Sequence, residues 1–341
     1  MTIRNLWFEN DTRCIPAHYH AASLIDLALS REVEVNRLLS GTGLFYERLV
    51  REEVKLSPRQ LYRLFANAEC LIRGDDVAFL YGHRLFPGSC PPASTALLHG
   101  RCLYDALETL VANQMLLTPL LMPRLVIDTQ WCYLHWVDSC GAGASRRFLV
   151  EAAMAGFTSL CRWLSGSEIP WAYQLDYSCP GYPEQYHVHL GEQVDFAQPV
   201  TAMRVPSRYL HTPWPNGSGT NRLLAQRRCD EESLALGFRA GIQATVYAYL
   251  MQRIRRVPTL ERCSADFHMS PATLKRKLHK HGTSFQQLLD SARKHVSVYL
   301  IQGRGYSNEQ VADYLGFHDC ANFRRSFKRW TGLTPSAYRH V

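Results

Sequence analysis

The sequence has little of what would mark a secreted, membrane-bound or cofactor-dependent protein. Its start, MTIRNLWFENDTR, has no basic segment followed by an apolar one, so no signal peptide is expected. The most apolar run, Met115 to Met122, is short and broken by Thr118 and Pro119, whereas a bilayer needs about 20 apolar residues. No CxxC occurs among the 11 cysteines, whose odd number and scatter from Cys14 to Cys320 argue against a disulfide framework. GxxxxGK[ST], GxSxG and HExxH are all missing, which removes phosphate-loop, serine-hydrolase and zinc-protease readings. With 20% charged and 11% aromatic residues the chain is too apolar to be disordered. The expectation is a cytoplasmic protein with reduced, mostly buried thiols, no membrane partner and no cofactor. Its 341 residues are enough for two packed domains.

What is there is a charge imbalance. Residues 252–341 carry sixteen Lys or Arg against six Asp or Glu, although the whole chain has a net charge of only +8. The preceding 251 residues are therefore slightly acidic. Positive charge gathered in the last quarter implies a polyanion there: DNA, RNA or an anionic membrane surface. Charge alone does not choose among them.

The first hundred residues read mainly as helices. Leu24, Leu27, Ala28, Val35, Leu38 and Leu39 form one stripe over Ala22 to Leu39, stopped by Gly41. Ser57-Pro58 opens a second helix, residues from Asp75 start a third, and Leu103 to Val111 make a fourth amphipathic face. From Arg124 the pattern changes. Leu125-Val126-Ile127 and Trp131 to Val137 flank Asp128-Thr129-Gln130 as a hairpin, Arg146 to Leu164 returns to helix, and Trp171 to Tyr177 reads as a strand. Residues 199 to 219, with prolines at 199, 206, 213 and 215 and Asn216-Gly217-Ser218-Gly219 at the end, read as loop. This makes residues 1–220 an α+β domain and 221–236 a connecting helix before a C-terminal domain, 237–341.

That C-terminal part reads as two helix-turn-helix units. A short helix with Leu260 and Cys263 inward is followed by a turn at Phe267-His268-Met269. Ser270-Pro271 then caps a second helix, with Leu274 and Leu278 inward and Lys275, Arg276, Lys277 and Lys280 outward. The plan repeats from Ser307: Val311, Ala312 and Leu315 inward, a turn at Gly316, then Ala321 to Trp330 burying Phe323 and Phe327 and exposing Arg324, Arg325, Lys328 and Arg329. Phe285 to Ile301 between them makes a helix of about 25 Å. That length suits two recognition helices reading one DNA face, where a turn spans about 34 Å.

These residues resemble the AraC/XylS family of bacterial transcription regulators. The resemblance is carried by Val311-Ala312-Asp313-Tyr314-Leu315-Gly316-Phe317, Asn322 to Trp330, and Gly332-Leu333-Thr334-Pro335-Ser336-Ala337-Tyr338-Arg339. In the first unit Met269-Ser270-Pro271, Thr273-Leu274, Arg276, Leu278 and Gly282-Thr283-Ser284-Phe285 match as well. By that resemblance the last hundred residues form an all-α domain with two helix-turn-helix motifs joined by a long helix. Base edges would be read from Ala272, Lys275 and Arg276, and from Cys320, Ala321, Arg324 and Arg325. Lys277, Lys280, Lys328 and Arg329 suit phosphates, which position without specifying sequence. Arg276, Arg324 and Arg325 have the fork geometry that matches O6 and N7 of guanine.

The first 220 residues are similar, more loosely, to the arabinose-binding and dimerisation type of sensor domain. The matching segments are Gly74 to Leu80, Asp105-Ala106-Leu107, Arg147-Phe148-Leu149-Val150 and Val194-Asp195-Phe196. The resemblance implies a homodimer on double-stranded promoter DNA, activation of RNA polymerase more than repression, and a small-molecule effector of unspecified identity. A regulator governed by a protein partner or by its own abundance is the alternative. Alkyl-transfer repair proteins also carry such a DNA-binding unit, but they need a Pro-Cys-His-Arg nucleophile motif that this chain lacks, so no enzyme is expected.

His18 with His20, and His187 with His189, have the spacing that puts both members on one face of a strand. No Cys, Asp or Glu stands at ligand spacing beside them, so no metal is expected. Trp131, Tyr133, Trp136, Trp171, Tyr173 and Tyr177 suit a core better than a ligand cage. Asn221 to Leu236 and Arg146 to Leu164 are the candidate dimer helices.

Overall fold

A computed structural model describes residues 7–339. They divide into two compact units: the first runs to Gly241, and the second starts at Ile242 and also gathers residues 174–178 and 195–201.

The first unit opens with β1 (Trp7–Phe8), β2 (Ile15–Pro16) and α1 (Ala17–Ser30), then α2 (Val35–Leu38), α3 (Tyr46–Arg51) and β3 (Lys55–Leu56). Helices α4 (Pro58–Leu71), α5 (Val77–Leu85), α6 (Pro91–Leu98), α7 (Leu103–Ala112) and α8 (Gln114–Leu117) follow. The stripe expected to form one helix over Ala22 to Leu39 is interrupted. Glu32 turns left-handed at φ 60°, and the Val33 amide closes on the Ala28 carbonyl at 2.9 Å. Arg31, just past the helix, pairs with Asp76 at 2.8 Å, a tertiary contact that local periodicity does not reveal. Ser57 and Gln60 cap α4 reciprocally, as Ser57-Pro58 led one to expect.

The sheet contains β4 (Leu121–Ile127), β5 (Trp131–Asp138), β6 (Ala172–Gln174), β7 (Val194–Asp195) and β8 (Ala202–Pro206), in the order β4-β5-β8-β6-β7. The expected hairpin is present, with Leu121 opposite Asp138 and Ile127 opposite Cys132. The loop reading of 199–219 is corrected, because β8 lies inside it and pairs antiparallel with β5, Ala202 opposite His135 and Pro206 opposite Trp131. Prolines 199 and 206 bound that strand rather than interrupt it, and Met203 and Val205 are fully buried. Trp136, Trp171 and Tyr173 are likewise buried in the core.

Between the strands run α9 (Arg146–Ser165) and α10 (Pro183–Leu190), with α11 (Gly219–Leu236) and β9 (Ala240–Gly241) completing the unit. α5 and α9 cross through two glycines. A Cβ on Gly82 would lie 2.2 Å from the Ala152 carbonyl oxygen, and one on Gly156 would lie 2.1 Å from that of Gly82. α9 buries thirteen of its 20 residues, so this candidate dimer helix is core. The histidine pairs lie in helices, α1 and α10, not strands. Residues two apart on a helix stand about 200° around the axis from each other, which separates each pair. His189 instead meets His83, ring nitrogens 2.9 Å apart. All eleven cysteines are free, and eight of them are buried.

The second unit consists of α12 (Ile242–Gln252), α13 (Leu260–Asp266), α14 (Pro271–Lys280), α15 (Phe285–Gln302), α16 (Asn308–Tyr314), α17 (Cys320–Thr331) and α18 (Pro335–Tyr338). Among the described residues no helix is long and apolar enough to cross a membrane.

Candidate nucleic-acid interface

Each helix-turn-helix is assembled from short-range chemistry. The Thr259 hydroxyl accepts from the Arg262 amide at 3.3 Å to start α13, and the Ser270 hydroxyl accepts from the Thr273 amide at 3.2 Å to start α14, with Pro271 in its first turn. The turn between them puts His268 at φ 55°, a left-handed conformation normally left to glycine. In the second unit Ser307 and Gln310 form a capping box on α16, and Gly316 takes the equivalent turn at φ 68°. Leu274, Leu278, Val311, Leu315, Phe323 and Phe327 are all fully buried, as their spacing required.

The long helix α15 packs against α12, α16 and α17. Its 18 residues reach about 27 Å. Its apolar side differs slightly from the expectation: Val296 is only half-buried, and Ser297 is buried with its hydroxyl donating to the Arg293 carbonyl at 2.7 Å.

Of the residues singled out on α14, Ala272, Lys275, Arg276 and Lys280 are exposed, and Lys277 is half-buried. On α17, Ala321, Arg324, Arg325, Lys328 and Arg329 are exposed, while Cys320 is half-buried at the first turn. Their freedom differs. Asp319 accepts from the Asn322 backbone and side-chain amides at 2.6 Å each, and Asn322 in turn accepts from Arg325 Nη2 at 2.6 Å. This relay fixes the Arg325 guanidinium near the start of α17. Arg329 is already paired with Asp290 of α15 at 3.0 Å. The Cys320 thiol donates to Glu309 Oε1 at 3.4 Å. Partial burial and then the Glu309 carboxylate push that thiol up, so it remains protonated.

Asp319, Asn322, Asp290 and Glu309 were not among the residues expected to meet DNA. Asp319 and Asn322 carry the usual cap signature, aspartate three residues before its amide donor, and were legible. The pairs of Arg329 with Asp290 and Cys320 with Glu309 span 39 and 11 residues and close only in the folded chain.

Residues 33–214 match the family model described as the arabinose-binding domain of AraC transcription regulator, and residues 263–340 match a helix-turn-helix domain. The Ornithine utilization regulator of Pseudomonas aeruginosa is 27% identical over 328 residues, 96% of each chain. The HTH-type transcriptional regulator GadX of Escherichia coli K12 is 37% identical over 81 residues, 24% of this chain and 30% of that one. A solved structure, the transcriptional regulator CdpR from Pseudomonas aeruginosa, is 18% identical across 94% of this chain and 98% of that one, with a TM-score of 0.45. The fold is an N-terminal unit with a mixed sheet and a helical C-terminal helix-turn-helix unit, and the chain is a DNA-binding regulator, not an enzyme. It belongs to the AraC family of transcription regulators.

Proposed function

We propose that the protein is a cytoplasmic homodimer that activates transcription by placing α14 and α17 of each subunit in successive major grooves of promoter DNA, with residues 1–220 as sensor, 221–236 as connector and 237–341 as DNA reader. The observation that carries this is the pair of capped, basic helices within one compact unit, each with guanidinium groups on its exposed face. Arg276, Arg324 and Arg325 read guanine edges, Ala272 and Ala321 contact thymine methyls, and Lys275 reaches a base acceptor. Lys277, Lys280 and Lys328 hold phosphates. Cys320 is held by the Glu309 carboxylate and Arg329 by that of Asp290, and we assign these two a lesser share.

The test is binding to the DNA upstream of the gene, followed by fluorescence anisotropy across a salt series, with random DNA as control. A steep salt slope with a preference of about 10³-fold or more for one segment is expected. Equal affinity for the two DNAs at every salt concentration overturns the reading. Within that assay Arg325→Ala should cost roughly 1–3 kcal/mol on the cognate segment only. Lys328→Ala should weaken both DNAs alike and lower the salt slope by about one. Equal losses on cognate and random DNA for both variants would remove the assignment of roles.

For the dimer we assign the outward face of α11. Leu224, Arg227, Glu231 and Leu234 are exposed there, at helical spacing. Run antiparallel against a second copy about a twofold axis that crosses this face between Arg227 and Glu231, it sets Leu224 against Leu234 and Arg227 against Glu231, both twice. Arg227→Glu should shift the chain toward monomer in sedimentation velocity. The double variant Arg227→Glu with Glu231→Arg should restore the dimer. A dimer indifferent to Arg227→Glu argues for another surface.

A small-molecule signal fits the sensor type, and the name of the ornithine-utilization relative supports one linked to amino acids.

A further inference from the structure

A cavity of 150 Å³ lies where α4, α5 and α9 meet the turn before α10, lined among others by Glu69, Asp75, Arg147, Phe148, Glu151 and Tyr182. That volume is far above the roughly 10–15 Å³ one water requires. Three carboxylates face one guanidinium. Glu151 is only 2% exposed, although its neighbours along α9, from Phe148 to Ala155, are buried and apolar. A carboxylate at such a position is costly unless its charge is used.

The partners present do not cancel that charge. Tyr182 donates to Glu151 Oε1 at 3.1 Å, and Tyr186 donates to the same oxygen. Both are neutral groups. Among the described lining residues the cation is Arg147, whose ion pairs are long, 3.7 Å to Glu151 and 3.9 Å to Glu69, beyond hydrogen-bond contact with either, and its side chain is 45% exposed. Burial therefore pushes Glu151 up to about 7, against the opposing pull of Tyr186, Arg147 and Tyr182, and burial raises Glu69 too. The aromatic wall suits a cation as well. Arg147 already lies over the Tyr182 ring at 5.7 Å, and Tyr182 is stacked on Tyr186 with 11° between the ring planes.

We propose that this cavity is the effector site of the N-terminal unit and that it takes a small organic molecule bearing a protonated amine, seated between Glu151 and Glu69 with its apolar body against Tyr182. The ligand's ammonium supplies the charge that Arg147 delivers only at a distance. Arg147 itself is then available to a ligand carboxylate, so an amine with or without an acid group is accommodated. This rests on reading the first unit as a sensor, but its test does not pass through DNA. Loss of amine binding with cognate DNA binding intact removes this proposal alone, whereas a chain that reads no DNA removes the other.

The experiment is calorimetric titration of the full chain with putrescine, with L-lysine and with 1,4-butanediol, which is putrescine with hydroxyls in place of both amines. At least one of the two amines should bind, and 1,4-butanediol should bind at least about tenfold more weakly. Glu151→Gln keeps the shape and should lower amine affinity at least about tenfold. It removes a buried charge that Tyr182, Tyr186 and Arg147 compensate only in part, so its melting temperature at pH 8 should not fall. Glu69→Gln, at an exposed site, should weaken binding several-fold. No heat from either amine at millimolar concentration, equal binding of 1,4-butanediol, or unchanged affinity in both variants overturns the proposal.

Discussion

Gly156→Ala should destabilise the N-terminal unit by about 3 kcal/mol or more, the upper end of what overpacking costs. The added Cβ would sit 2.1 Å from the Gly82 carbonyl oxygen and 2.8 Å from Phe86 Cδ2, both below the 3.0 Å that Cβ atoms respect. A flexible side chain could turn away, but a helix backbone cannot, so α5 must move off α9. That movement opens the aromatic cluster beneath, where Phe65 stacks on Phe148 with centroids 4.9 Å apart and Tyr81 lies 5.7 Å from Phe148. It also widens the cavity whose walls include Val77 and Ala78 of α5 and Glu151 of α9. In a unit of this size the loss corresponds to a fall in melting temperature of about 6–12 °C. Gly181→Ala is the control, because nothing lies within 4 Å of a Cβ there. Thermal unfolding that treats the two variants alike would show that the crossing is looser than its backbone distances require.

That crossing was invisible in the sequence, and the reason is general. Gly82 and Gly156 are 74 residues apart and carry no side chain to leave a periodic signal. The same holds for Glu151, whose partners Tyr182 and Tyr186 lie 31 and 35 residues away. By contrast, the DNA-reading unit was legible almost element by element. Its determinants are local: a serine before a proline at 270, a serine three before a glutamine at 307, a glycine at 316, and buried residues four apart. Where tertiary contacts override local pattern, the reading failed. A left-handed turn at Glu32 ends a stripe that looked continuous, and sheet pairing makes a strand of 202–206 between prolines that looked like loop. The histidines at 187 and 189 follow Pro183, which starts a helix; their alternation suggested a strand only when that proline was ignored.

Phe327→Ala should separate specific from non-specific DNA binding. Phe327 is fully buried, with its ring 5.8 Å from Phe323 and 5.6 Å from Tyr338, so it joins α17 to the closing helix α18. Truncating a buried Phe costs about 3–5 kcal/mol, part of it as a cavity that this small unit must absorb. The α17 residues proposed to meet DNA lie on the opposite, exposed side, and none of their charges changes. Electrostatic attraction to phosphates therefore survives for the fraction that remains folded, and α14, packed with α13 around Leu274 and Leu278, keeps its cap. What is lost is the fixed placement of Arg324 and Arg325. Placement within a fraction of an ångström is what bidentate base contacts demand, and each such contact is worth roughly 1–3 kcal/mol. Two arginines out of register thus remove about 2–6 kcal/mol of discrimination. Random-DNA affinity should fall only slightly, and its salt slope should remain that of the unmodified chain. Anisotropy with both DNAs, alongside denaturant unfolding of the same preparation, measures the two losses together. Full sequence preference in a variant destabilised by several kcal/mol would mean that α17 is oriented by something other than its Phe323–Phe327 face.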